Sequence, residues 1–193
     1  MRHLTILAAI GLMFMTAMPA AAQGQVKKFE VEPSLGLGMP LYGGGEGYHG
    51  KEGLSLGLEG RYNLESAPVS IGCELSISAA SRRRDSSGSN STANCLRTAS
   101  LSVTSDYYFN RGGKVSPFVG VGVGLAQRVT TISDSEYVSD PMRLNPAGGV
   151  LTPRIGVEFW NHLRLTLDAR IAGRDYSTVE FRIGYAFGGG KRQ

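Results

Sequence analysis

"SPFVGVGVGLAQRV", Ser116 to Val129, sets Val119, Val121, Val123, Leu125 and Val129 on one parity and Gly120, Gly122 and Gly124 on the other. Strict period two marks a β-strand, and valine suits one. Glycine does not, because it loses the most conformational entropy and offers no side chain to pack. A strand face that repeats glycine must therefore leave room for something else.

The same alternation runs through the rest of the chain. Segment 28–41 carries Phe29, Val31, Leu35, Leu37, Met39 and Leu41 on one parity, and 53–63 carries Leu54, Leu56, Leu58 and Tyr62. Segment 67–79 gives Val69, Ile71, Cys73, Leu75 and Ile77, and 96–109 gives Ala99, Leu101, Val103, Tyr107 and Phe109. After the quoted run come 148–160 with Leu151, Ile155, Val157 and Phe159, 162–172 with Leu163, Leu165, Leu167 and Ile171, and 177–187 with Val179, Phe181, Ile183, Tyr185 and Phe187. That makes eight strands with no convincing amphipathic helix between them. A chain of 193 residues suffices for one all-β domain.

Connections alternate as well. Stretches 42–52, 80–95 and 131–147 are long and rich in Gly, Ser, Asp and Arg, whereas 63–67, 110–114 and 160–162 are tight turns and 173–176 is short. Long loops on one side and short turns on the other fit an eight-stranded antiparallel up-and-down transmembrane β-barrel. This places the termini in the periplasm and the long loops outside the cell.

Residues 1–22 read as a cleaved signal peptide. Arg2 and His3 precede the apolar run Leu4 to Met15, and Pro19-Ala20-Ala21-Ala22 supplies a small-residue cleavage site before Gln23. The barrel is then expected over 23–193. Without the leader the chain carries 19 Lys plus Arg against 16 Asp plus Glu. That excess is mild, and no basic-aromatic patch implies nucleic-acid binding.

Both membrane and soluble barrels alternate, so two further features decide between them. Aromatic residues collect at one end: Phe29, Tyr62, Tyr107, Phe109, Phe159, Trp160, Tyr185 and Phe187 all fall at the periplasmic ends of strands, as an interfacial girdle would. Each strand also has about ten alternating residues, which at roughly 3.3 Å per residue and a tilt near 45° span about 25 Å of apolar bilayer. The apolar parity then faces lipid.

The other parity lines the lumen with Glu30, Glu32, Glu59, Arg61, Glu74, Asp106, Arg128, Arg154, Glu158, Arg164, Asp168, Arg170, Glu180 and Arg182. An eight-stranded barrel is barely wide enough for its side chains. Gly120, Gly122 and Gly124, with Gly36, Gly38, Gly57, Gly72, Gly156 and Gly184 on the same parity, leave the space those long charges need. Opposite signs should interlock, since an unpaired buried ion costs several kcal/mol. The expected result is a closed structural plug, with a narrow low-conductance channel as the alternative.

The signal peptide, "SPFVGVGVGLA", "PRIGVEFWNHLRLTLDARI" and "VEFRIGYAFGGG" together resemble the outer-membrane β-barrel domain of Bacteroidetes-type porin-family proteins, on a plan similar to the OmpA membrane domain and OmpX. The resemblance covers nearly the whole mature chain. It implies outer-membrane lipid as surroundings and the barrel-assembly machinery as a biogenesis partner, with Phe181, Tyr185 and Phe187 carrying the assembly signal ahead of "GGGKRQ". It specifies a fold and a membrane, and no activity.

Sites of chemistry are sparse. His162 sits in a turn with no serine-acid partner, and His49, near Glu46 and Glu52, reads as a solvated loop residue; a His-acid pair there that activates a hydroxyl leaves a lipid A-modifying enzyme as a remote alternative. No cofactor, metal or catalytic set is expected. Arg82, Arg83 and Arg84, placed in the 80–95 loop, are candidates for contacting lipopolysaccharide phosphates, the alternative being a solvated charge run. Cys73 and Cys95 leave open a disulfide or two isolated thiols. A monomer is expected, with the long loops as the surface that meets an unknown ligand.

Overall fold

The computed structural model describes residues 27–41, 48–84, 92–133, 143–172 and 177–188. The proposed signal peptide lies outside them. The strands are β1 (Phe29–Pro40), β2 (Tyr48–Lys51), β3 (Gly53–Asn63), β4 (Val69–Arg84), β5 (Thr92–Tyr108), β6 (Val115–Ser133), β7 (Arg143–Phe159), β8 (Leu163–Arg170) and β9 (Thr178–Tyr185). β2 and β3 both pair with β4 and form two halves of one stave. The sheet contains eight staves.

Every stave pairs antiparallel with its neighbours in sequence, and β1 closes the ring against β9. Closure removes the free edges that lipid cannot satisfy with hydrogen bonds. Polarity is inverted relative to a soluble barrel. Leu35, Leu56, Leu75, Leu101, Leu125 and Ile155 are exposed on the outer wall, while Glu59, Arg154, Arg164 and Glu180 are buried inside. Water would make such a wall prohibitive; a bilayer requires it.

Strand lengths are uneven. β4 to β7 run 16, 17, 19 and 17 residues, against 8 each for β8 and β9. Much of the stretches 42–52, 80–95 and 131–147, read as loop, is therefore strand. The apolar alternation fades there because residues above the bilayer no longer meet lipid, yet the ladder continues to Arg84–Thr92 and Ala93–Ser133. Two bulges sit near this level. Lys51 opposes Ser81 and Ser55 opposes Ser78, leaving one extra residue around Glu52. A second irregularity lies between Ala126 and Arg128 on β6.

Another break lies lower in the wall. Leu151 and Ile171 exchange both backbone hydrogen bonds, at 3.0 and 2.8 Å. Two residues along, the next such pair would join Pro153 to Ala169, and proline has no N–H to give the Ala169 carbonyl. The regular β7–β8 ladder begins only at Arg154–Asp168. A hollow of about 400 Å³ opens on the bilayer face at this point, bordered by Val119, Pro153, Leu167, Ala169 and Val179.

The register also settles the cysteines. Cys73 opposes Val103 and is a free, exposed thiol, while Cys95 opposes Ser81, eight positions further along β4. At roughly 3.3 Å per residue that separation is about 26 Å, against the ~7 Å limit of a disulfide. We expect no intramolecular bridge, so reductant should leave the gel mobility of the monomer unchanged. A mobility shift on reduction of the monomer band would contradict this register.

Candidate functional site in the barrel lumen

Inward parity brings thirteen of the fourteen lumen charges expected from the sequence into one connected network; the side chain of the fourteenth, Arg128, lies outside the described residues. Starting from the end that carries the short turns, Arg61 donates to Glu30 at 3.0 Å and to Glu32 at 2.6 Å, and stands 3.7 Å from Glu158. Arg164 reaches Glu32 at 3.3 Å and also donates to Asp106. Arg154 occupies the centre. Its Nε and Nη2 bind the two oxygens of Asp106 at 2.6 and 2.8 Å, its Nη2 and Nη1 take both oxygens of Glu59 at 2.6 and 3.1 Å, and Nη1 meets Glu74 at 3.3 Å.

Above Arg154 the chain of charges continues. Arg182 donates to Glu74 at 2.9 Å and to Asp168 at 2.8 Å. Arg170 donates to Glu74 at 2.6 Å and to Ser100 at 2.8 Å, and lies 3.1 Å from Glu180. All thirteen residues are buried. Such pairs hold together because each guanidinium offers five fixed donors to planar carboxylates, and their geometry offsets the cost of leaving water.

Glycine makes the room. A Cβ on Gly120 would overlap the Asp106 carboxylate, and one on Gly184 would overlap Glu32. Gly156 admits the Phe118 ring in the same way. Gly122 is different: a Cβ there meets Thr104 and Thr152 at 3.4 Å and the Val103 carbonyl oxygen at 3.7 Å, all ordinary contacts.

Three buried residues escaped the sequence reading. The Arg164 guanidinium lies 3.8 Å above the Phe118 ring and 6.0 Å from that of Tyr108, and Arg111 covers Tyr108 from the other side at 4.8 Å. Arg111 also donates to the Val69 carbonyl at 2.8 Å and to Asn63, whose amide holds the Lys27 carbonyl at 2.8 Å. This stack of rings and guanidiniums closes the mouth at the short-turn end. Burial draws the Arg111 guanidinium below its usual pKa range. Parity was the available signal, since Tyr108 follows Asp106 by two residues and Phe118 precedes Gly120 by two. Their apolar character pointed outward instead.

The eight girdle aromatics stand at the strand ends on this same rim. Phe29, Tyr62, Phe109, Trp160, Tyr185 and Phe187 are exposed, and Tyr107 and Phe159 are half-buried. Neighbouring rings touch, with centroids 5.0 Å apart for Phe29–Tyr62, 5.4 Å for Tyr107–Phe109, 5.8 Å for Phe159–Trp160 and 4.9 Å for Tyr185–Phe187. His162 joins them by stacking on Tyr185. Trp160 is carried on a two-residue turn, with Trp160 and Asn161 both left-handed at φ 52° and 59°.

Arg82, Arg83 and Arg84 fall on β4, not in a loop, opposite Asn94, Ala93 and Thr92. Their side chains lie outside the described residues. His49 lies on β2 opposite Arg83, and Glu46 lies outside the described residues.

Over residues 7–189 the sequence matches the family described as outer membrane protein beta-barrel domain. No curated protein matches it. Among solved structures it is similar to Neisserial surface protein A (NspA), at 12% identity and a TM-score of 0.53, covering 83% of this chain and 97% of that one. It is also similar to the outer membrane protein OprG from Pseudomonas aeruginosa, at 12% identity and a TM-score of 0.49, covering 86% and 98%. At these identities the likeness is one of fold.

Proposed function

Because the chain belongs to the outer membrane protein beta-barrel domain family, we propose that it is a closed integral barrel whose role is structural and surface-interacting, not conducting. The observation that carries this is the connected lumen network, in which Arg61, Arg154, Arg164, Arg170 and Arg182 are each held by carboxylates on other strands. Opening a water path would break several charge-assisted bonds at once. Engaged in this way, the carboxylates act as fixed counter-ions, which supports a non-catalytic role.

Short turns and the aromatic girdle share one end with Phe29 and Phe187, which favours periplasmic termini. The extended ends of β4–β7 then stand outside the cell as the contact surface. At that level Arg82, Arg83 and Arg84 of β4 are the residues we assign to lipopolysaccharide phosphates. Phe181, Tyr185 and Phe187, exposed on the last stave, serve as the signal read by the assembly machinery. The barrel works as a monomer.

Single-channel recording tests closure. Residues 23–193 refolded into a planar bilayer should insert without discrete current steps. Reproducible openings would replace this reading with that of a small channel gated by the Arg154 cluster.

A further inference from the structure

Beside the low β8–β9 hairpin the outer wall carries an apolar recess and a free strand edge, one directly above the other. A row of small side chains forms the recess: Val121 opposes Pro153, Ala169 stands across the broken ladder from Pro153, and Val179 opposes Ala169. Bulkier outward residues flank that row, with Ile155, Leu167 and Phe181 in register below it and the Leu151–Ile171 pair above. The space left between them is the hollow of about 400 Å³. Pro153 is six residues from Phe159 of the aromatic girdle. At roughly 3.3 Å per residue and a tilt near 45°, that is about 14 Å up an apolar band about 25 Å tall.

β8 ends at Arg170, whereas β7 runs on beyond Leu151 as far as Arg143. Among the described residues nothing pairs with that stretch of β7 on the β8 side. Leu151 exchanges its backbone bonds with Ile171, so Gly149, two residues along, aims its own N–H and C=O at the same side. Open space surrounds it, since a Cβ there would meet no atom within 4 Å. At ten residues from Phe159 it reaches about 23 Å, the level of lipid headgroups.

We propose that this strip binds one lipopolysaccharide molecule of the cell-surface leaflet, with an acyl chain in the recess and a phosphorylated sugar against the Gly149 edge. Hydrocarbon is what fills an apolar void in a bilayer, because an empty one forfeits dispersion contacts and offers water no partners. Headgroup chemistry then selects the lipid. A free edge alternates N–H and C=O, and a sugar bearing phosphate supplies acceptors for the first and hydroxyl donors for the second. The proposal rests on reading the long-strand end as the cell surface.

Native mass spectrometry of the refolded protein, exposed to equal amounts of lipid A and a diacyl phosphatidylglycerol, tests it. Wild type should retain lipid A in preference, and lipid A should slow hydrogen exchange at the Gly149 amide. Ala169→Leu fills the recess and should lower lipid A retention roughly tenfold, whereas Ala99→Leu, at an exposed alanine on β5, should leave it unchanged. Val179→Phe serves where Ala169→Leu fails to fold, as judged by the heat-dependent gel shift. Equal retention of the two lipids, retention untouched by filling the recess, or unchanged exchange at Gly149 would overturn the proposal. Orientation is read separately: in intact cells an impermeant maleimide should miss Lys114→Cys at the short-turn end when Cys73 and Cys95 are changed to serine. Labelling there would overturn the orientation, and with it the leaflet named here, while the retention result would stand.

Discussion

Arg154→Leu is expected to cost the folded barrel about 3–5 kcal/mol, the penalty of leaving buried charge without its partner. This side chain makes five hydrogen bonds of 2.6–3.3 Å to Asp106, Glu59 and Glu74, and leucine satisfies none of them. Three carboxylates from β3, β4 and β5 would then face one another in a space closed to bulk water. The measurement is the urea midpoint of the heat-modifiable band in phospholipid vesicles. Lysine restores the charge but not the fork, so Arg154→Lys should recover part of the loss. A midpoint within experimental error of wild type for Arg154→Leu would show that the network contributes little to holding the staves together.

Gly120→Ala should also destabilise, by about 1–3 kcal/mol, although alanine is the better residue for an ordinary strand. Its Cβ would overlap both the Asp106 carboxylate and the Ser105 carbonyl oxygen, and the latter is backbone that has nowhere to move. Displacing Asp106 disturbs Arg154 and Arg164 together. Gly122→Ala, two residues along the same face, meets only ordinary contacts and should be neutral or mildly stabilising. The paired comparison isolates lumen space from strand propensity. Equal effects at the two positions would mean that the repeated glycines answer to backbone conformation and not to the charges opposite.

Period-two alternation placed the eight staves, because lipid outside and charge inside impose opposite demands on successive residues. It worked for Val119 to Leu125 and for Glu59 and Arg61, where the demands were sharpest. It failed beyond Ile77 and Leu125, where the wall leaves the bilayer and Ser81, Arg83, Thr131 and Ser133 are equally at home in a loop or a strand facing water. That is why Arg82–Arg84 read as a loop run. Tyr108 and Phe118 were missed for a complementary reason. An aromatic ring normally belongs outside such a barrel, and only the guanidiniums of Arg164 and Arg111 make an inward ring favourable.

Pro153 gives the wall a grain. Where a ladder is complete, local opening must break a run of cooperative bonds, and amide protons there exchange slowly. Between Leu151–Ile171 and Arg154–Asp168 that run is interrupted, as it is again between Val31–Phe187 and Ser34–Gly184 on the other side of the β8–β9 hairpin. Thermal fluctuation is therefore favoured along both seams of the short β8–β9 hairpin, which becomes the part of the barrel that parts first from the wall formed by β4 to β7.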